Sequence, residues 1–273
     1  MGRIGRGWQL TKMSLRVIRK DKELLIFPIL SGLSALLILA SFFIGAFSTV
    51  DLLEMSSNEF PWWFYAFFAV FYFVAFFIGV FFNVAVIGCA TIRLNGGDPT
   101  VRDGLRIALE NVKYILMWTL FAATIGLILR TIQQKAGIIG KFVIGAIGAA
   151  FTIASYFAVP VFVYEKVGPW KALKRSVSIL TQTWGEAIVG NLGLGAIFTL
   201  LGLVALVPII LAVANMTVWS VIIGFGLAVV YLLVLCVVWS VAQSVLVAAL
   251  YRYATTGKIS EDFAGLSFQS PWT

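Results

Sequence analysis

Apolar residues in this chain fall in long unbroken runs, not in the short alternating stretches of a sheet. Six runs stand out, at about residues 24–49, 62–92, 114–129, 142–164, 187–214 and 218–250. A helix needs roughly 20 apolar residues to cross a hydrocarbon core, so each run reads as a transmembrane helix. The third is the shortest. The second and sixth are long enough to tilt or to project beyond a bilayer. None alternates with a period of two between turns, which argues against a β-barrel. Pro160 and Pro208 fall inside or near the ends of the fourth and fifth runs. Each removes a backbone donor and should kink its helix.

Between the runs lie three segments of a different pattern. Trp8 to Ile18 and Trp170 to Leu180 place a tryptophan and a serine (Ser14, Ser176) at the same separation, followed by the same apolar and polar order. The segment 100–110 has the same outline, with Thr100 in place of the tryptophan and Arg106 in place of the serine. Helical spacing gathers Val101, Leu105, Ala108, Leu109 and Val112 on one face of the second segment, and Trp170, Leu173, Val177 and Leu180 on one face of the third. In the first, Lys12, Arg16, Arg19 and Lys20 oppose Trp8, Leu15 and Ile18. Asp98-Pro99 and Gly168-Pro169 carry helix-start signals, with proline expected at the first helical position. The expected architecture is all-α: a polytopic bundle of six transmembrane helices with three interfacial amphipathic helices. It is arranged as a threefold repeat of one amphipathic helix plus a two-span hairpin, in a single membrane domain.

Charge then orients the bundle. The N-terminal segment holds seven Lys and Arg residues, the second connection four, the fourth connection four and the C-terminal tail two. The opposite side holds only Arg130, Lys135 and Lys141. Seventeen against three places both termini in the cytoplasm of a plasma-membrane protein. The first connection adds only acids, Asp51, Glu54 and Glu59, and the cluster Trp62-Trp63-Phe64-Tyr65 after Pro61 fits an aromatic belt at the outer interface. The apolar run 24–50 is too long for a cleaved signal peptide, so the first span is expected to remain.

Composition narrows the chemistry. Hydrophobic residues make up 61% of the chain and charged ones 12%, against about a quarter charged in soluble domains. There is no histidine, so Ser-His catalysis and His-based metal sites are excluded. No nucleophile elbow or Walker loop occurs. Gly96-Gly97-Asp98-Pro99 reads as a turn before a helix. Cys89 and Cys236 lie in apolar runs and read as buried, inert thiols. Glu165 and Glu186 are expected to cap a helix or pair with Lys166, Lys171 or Lys174. No catalytic residue, metal, cofactor or nucleic-acid partner is expected, and the chain is not read as an enzyme.

The stretches Trp170-x-Ala-Leu-x-x-Ser176 and Gly97-Asp98-Pro99-Thr-Val-x-Asp103-Gly104 resemble an uncharacterised prokaryotic multi-span membrane family. That family is similar to the membrane domain attached to some glycerophosphodiester phosphodiesterases. The resemblance covers most of the chain. It implies no catalytic residues, because in those enzymes the chemistry lies in a separate soluble domain.

Two functions fit. In the first, a non-enzymatic bilayer protein binds anionic lipid or a membrane partner, a second copy included. It does so through the basic helices, at Arg16, Arg19, Lys20, Arg102, Arg106, Lys171, Lys174 and Arg175. In the second, a transporter or channel passes a small neutral or lipid-like solute along the intramembrane amides Asn83, Asn191 and Gln243. Those amides equally suit hydrogen bonds that join helices. Glycines 185, 190, 193, 195 and 202 in the fifth run, and 140, 145 and 148 in the fourth, read as packing positions.

Overall fold

The computed structural model describes residues 3–49, 62–215 and 217–257. Within its helices, the side chains of residues 3–8, 46–49, 62–64 and 184–186 lie outside that description. Among the described residues ten α-helices follow one another: α1 (Arg3–Lys20), α2 (Ile26–Thr49), α3 (Trp62–Leu94), α4 (Val101–Glu110), α5 (Val112–Lys135), α6 (Ile138–Ala154), α7 (Ala158–Glu165), α8 (Pro169–Leu203), α9 (Leu206–Asn215) and α10 (Val218–Thr256). A 3-10 turn at Lys22–Leu25 leads into α2. No strand occurs among the described residues. Asp51, Glu54, Glu59, Pro61 and Lys258, and the side chains of Trp8, Trp62, Trp63, Phe64, Gly185 and Glu186, lie outside the described residues.

Among the described residues five helical stretches are long and apolar enough to cross a membrane: Lys22–Gly45, Tyr65–Leu94, Val112–Lys135, Ala187–Asn215 and Val218–Thr256. α6 and α7 make a sixth if the pair, bent by 41°, counts as one span. All six expected runs are therefore helical, and the third is longer than its apolar run suggested. Only 11% of the most apolar window of Val218–Thr256 is buried inside the protein. Leu37, Ile44, Phe142 and Leu233 are among many large apolar side chains on the outside. Such a surface suits hydrocarbon as its solvent, where apolar exposure carries no hydration penalty.

The helix is interrupted one turn before each proline, with a 41° bend at the first, and a side chain bonds the backbone at each break. The α6–α7 break spans residues 155–157, one turn before Pro160, at the carbonyl that the missing proline N–H would have bonded. The Phe157 N–H there donates to the Ser176 hydroxyl at 2.9 Å. The α8–α9 break falls at residues 204–205, one turn before Pro208. There the Tyr231 hydroxyl donates to the Leu201 carbonyl at 2.8 Å. Backbone groups without water must find partners inside the protein. Ser176 supplies one to the Phe157 N–H, and Tyr231 adds a second bond to a carbonyl that already accepts the Val204 N–H at 3.1 Å.

The chain forms two compact units. One comprises the described parts of Met1–Pro28, Val86–Val101 and Ile179–Thr273; the other comprises those of Ile29–Ala85 and Arg102–Ser178. In the first, α1 packs on α10 and α9 on α10. Gly190 of α8 is wedged there, since a Cβ would lie 2.9 Å from Leu246 and 3.3 Å from Leu10. Gly224 of α10 sits against the Pro208 carbonyl and Ala212, an approach only a missing Cβ allows. Gly195 and Gly202 face Trp239 and Leu235 of α10 at ordinary contact, while Gly145 meets nothing. In the second unit Gly148 of α6 meets Leu129 of α5 at 3.9 Å, the same ordinary contact. The closest packing of glycine against another helix thus lies in the fifth and sixth spans, and the fourth shares it at Gly148. In the second unit α5 and α6 form a hairpin, and Trp118, Phe121, Phe151, Phe162 and Trp170 make a chain of ring contacts.

The three basic segments share a structural register. Ser14, Gly104 and Ser176 are each buried. Two turns later the helix is interrupted at a buried polar residue in all three: Asp21 (φ −124°, ψ 84°), Asn111 (φ −105°, ψ 5°) and Thr183 (φ −116°, ψ 17°). Gly104, not Arg106, therefore takes the place of the serine in the second segment. Arg106 is exposed, and a charged side chain does not fill a position that closes against neighbouring helices. α4 also starts at Val101, two residues after Pro99, because the 97–100 stretch is not helical. Its first N–H donates to the Glu23 carboxylate at 2.9 Å instead of being capped by Asp98. Pro169 does open α8.

Candidate functional site

Charged and amide side chains meet at the interruptions at Asp21 and Asn111. At Asp21, buried, the carboxylate meets Arg93 Nε at 2.6 Å, and the arginine side chain is only 21% exposed. Arg93 also donates to the Gly97 carbonyl at 3.1 Å and lies 3.5 Å from Asp98. Arg252 of α10 donates to the Leu94 carbonyl at the end of α3. Gly96, at φ 86°, makes the left-handed turn that follows α3. The pair is therefore a structural clasp whose charges cancel.

At Asn111, also buried, the side-chain amide donates to the Ile107 carbonyl at 2.8 Å and its oxygen accepts from Lys166 Nζ at 2.6 Å. The same ammonium lies 5.7 Å from the centre of the Tyr114 ring. Glu165 beside it pairs with Arg175 at 3.1 Å, not with Lys166, Lys171 or Lys174 as expected. The salt bridge ties the start of α8 to the end of α7, and the lysine–amide bond ties the end of α7 to the seam of α4 and α5.

The expected lipid-binding cations divide. Arg16, Arg19, Lys20, Arg102, Arg106, Lys171, Lys174 and Arg175 are all exposed. Arg106 pairs with Glu110 at 3.0 Å in open surroundings, worth little, and Arg175 is engaged by Glu165. Lys174 lies over the Trp170 ring at 5.4 Å. Arg16, Arg19, Arg102 and Lys171 have no acidic partner among the described residues.

The residues of the expected apolar faces divide: Ala108 and Leu180 are buried, and Leu109, Trp170 and Val177 are exposed. Gly104 and Ala108 of α4, and Ala172, Ser176 and Ile179 of α8, are buried, while Leu109 is 63% and Trp170 is 59% exposed. Small residues let each segment close on the protein, and the large apolar ones stay outside beside the cations.

The intramembrane amides are also sorted. Gln243 Nε2 donates to Asn191 Oδ1, tying α10 to α8, and Asn191 donates to the Ala187 carbonyl at 2.9 Å. This is the helix-joining use of an amide. Asn83 lies half-buried in α3, in the other unit. Cys89 is buried with its thiol toward the Thr100 carbonyl at 3.5 Å, but Cys236 is exposed on α10. The burial expected of both thiols therefore holds for Cys89 alone, because α10 turns that side of its apolar run outward. Among the described residues no cluster of His, Cys, Asp or Glu could hold a metal ion.

Residues 63–261 match the model of the Family of unknown function DUF6159. The chain belongs to that family. The match covers the second to sixth spans together with the joint at Asn111, and leaves out α1, Asp21 and the first span. No curated protein and no solved structure matches the chain. The expected kinship with the membrane domain of glycerophosphodiester phosphodiesterases finds no support, since the DUF6159 match carries no such link. The motifs that prompted it are a helix start and a turn, which any span of this construction needs.

Sequence reading missed Asp21, Asn111 and Tyr231, weighed Arg93 only as charge, and paired Lys166 with a carboxylate instead of the Asn111 amide. The signal for the first two was present: a polar residue two turns past a buried small one, at the seam between a basic segment and an apolar run.

Proposed function

We propose that this DUF6159 protein is a non-enzymatic, multi-pass protein of the cell membrane that holds anionic lipid at its basic segments, with both termini in the cytoplasm. The supporting observation is the pairing of exposed Leu109, Trp170 and Val177 with exposed, largely uncompensated Arg102, Lys171 and Lys174 on the same helices. A helix surface that is apolar and cationic at once is wasteful in water. At the boundary of an anionic leaflet the apolar groups enter hydrocarbon and the cations meet phosphate. The asymmetry of seventeen Lys and Arg against three supports the orientation. The transport reading gains nothing, since Asn191 and Gln243 are bonded to each other.

Each cation near such a surface contributes on the order of 1 kcal/mol. Lys171→Gln with Lys174→Gln should therefore weaken retention of phosphatidylglycerol over phosphatidylcholine by on the order of tenfold, with the loss shrinking as salt rises. Equal retention by the double variant and the parent would overturn the reading.

A further inference from the structure

Three helices of this protein are followed by a residue in the left-handed region. After α3 it is Gly96 and after α10 it is Gly257, but after α7 it is Lys166, at φ 52°. Among the described residues no other non-glycine has positive φ. A side chain there is disfavoured by its own Cβ, and glycine would serve the backbone better. Strain of this kind is a pointer to function when the side chain is held in a definite place. Lys166 is so held: its Nζ lies 2.6 Å from Asn111 Oδ1 and over the Tyr114 ring. Asn111 is itself 2% exposed and anchored by its amide to Ile107.

The pairing is chemically lopsided. Arg93 in the other joint meets a carboxylate, and the two charges cancel. Asn111 is neutral, so it positions the ammonium and leaves the positive charge intact. The neighbouring carboxylate, Glu165, is engaged by Arg175. An ammonium has three donors; one is spent on Asn111, and Lys166 stands exposed to whatever surrounds α7. A cation that has already lost its rotamer freedom binds an anion at lower entropic cost than the free-swinging Lys171.

We propose that the Lys166 ammonium, positioned by Asn111 and Tyr114, anchors a discrete site for the phosphate of one anionic lipid headgroup. This rests on the lipid-holding reading above and sharpens it from a diffuse basic surface to one defined contact.

The test uses the full chain purified in mild detergent with phosphatidylglycerol, read by native mass spectrometry. Lys166→Gln keeps a donor for Asn111 and removes the charge. Asn111→Asp keeps the lysine and cancels its charge. Each should lower occupancy by the first-bound lipid at least fivefold, with thermal unfolding within a few degrees of the parent. Excess inorganic phosphate should not displace the lipid. Undiminished occupancy in both variants would show that Lys166 merely caps Asn111, and the site would fall. Displacement by inorganic phosphate would assign the contact to a free anion and overturn the lipid source. If Lys171→Gln/Lys174→Gln loses lipid while Lys166→Gln does not, only the Lys166 site fails. If the parent itself shows no preference for phosphatidylglycerol over phosphatidylcholine, the broader reading fails with it.

Discussion

The joints at Asp21 and at Asn111 occupy the same place in their segments and solve one problem with different chemistry. In both, a basic helix must stop and an apolar one begin, leaving backbone and side-chain polar groups without helical partners. Asp21 answers with an ion pair to Arg93, an arginine four-fifths buried. Asn111 answers with a neutral amide to an exposed lysine. The first arrangement is closed and depends on both partners. The second keeps a net charge at the surface and can lose its cation to water. Burial of the positive partner, more than the bond length, separates a structural clasp from a site open to ligands.

The largest effect is expected at the closed joint. Asp21→Ala would leave Arg93 buried without its counter-charge, and breaking one side of such a pair costs about 3 kcal/mol. Thermal unfolding in detergent should show a drop of several degrees. Restoring balance with Arg93→Met in the same chain should recover a good part of it, because the uncompensated charge is gone. If Asp21→Ala melts with the parent, the pair is not the clasp described and the contrast between the joints collapses.

A middle effect should separate the two serines that the repeat places alike. Ser176 accepts the Phe157 N–H at the break before Pro160. Ser14 is equally buried and has no hydrogen-bond partner. Ser176→Ala strands a buried donor, for about 2 kcal/mol. Ser14→Ala strands nothing and should be neutral or slightly stabilising by the same unfolding measurement. Equal losses at both positions would mean that the serines act through packing alone.

The same serines show how far sequence carries. Their common spacing from a tryptophan was visible, and so were the six runs, because hydrocarbon demands uninterrupted apolar length and tolerates few exceptions. The breaks before Pro160 and Pro208 were legible from the missing N–H. What bonds the backbone there was not: Ser176 and Tyr231 reach across from other helices, and nothing local marks a hydroxyl for that use. The register of 100–110 was misplaced by following Arg106, because a search for like residues overlooks that glycine and serine are interchangeable at a close contact. The faces of Leu109 and Trp170 were legible from helical spacing. The small residues Gly104, Ala172 and Ser176 that close each segment on the protein were not, because in a helix bundle of this kind small residues mark the interior.

The smallest effect belongs to the open joint. Asn111→Ala removes the acceptor for Lys166 and the donor to Ile107, yet the lysine is exposed and rehydrates once released. What remains is one orphaned carbonyl and a small cavity at the seam of α4 and α5, for about 1 kcal/mol, clearly less than Asp21→Ala. Unfolding temperature measures that cost directly. Losses of equal size at the two joints would show that the Asn111–Lys166 bond is as shielded from water as the Asp21–Arg93 pair, and the contrast between a closed and an open joint would collapse.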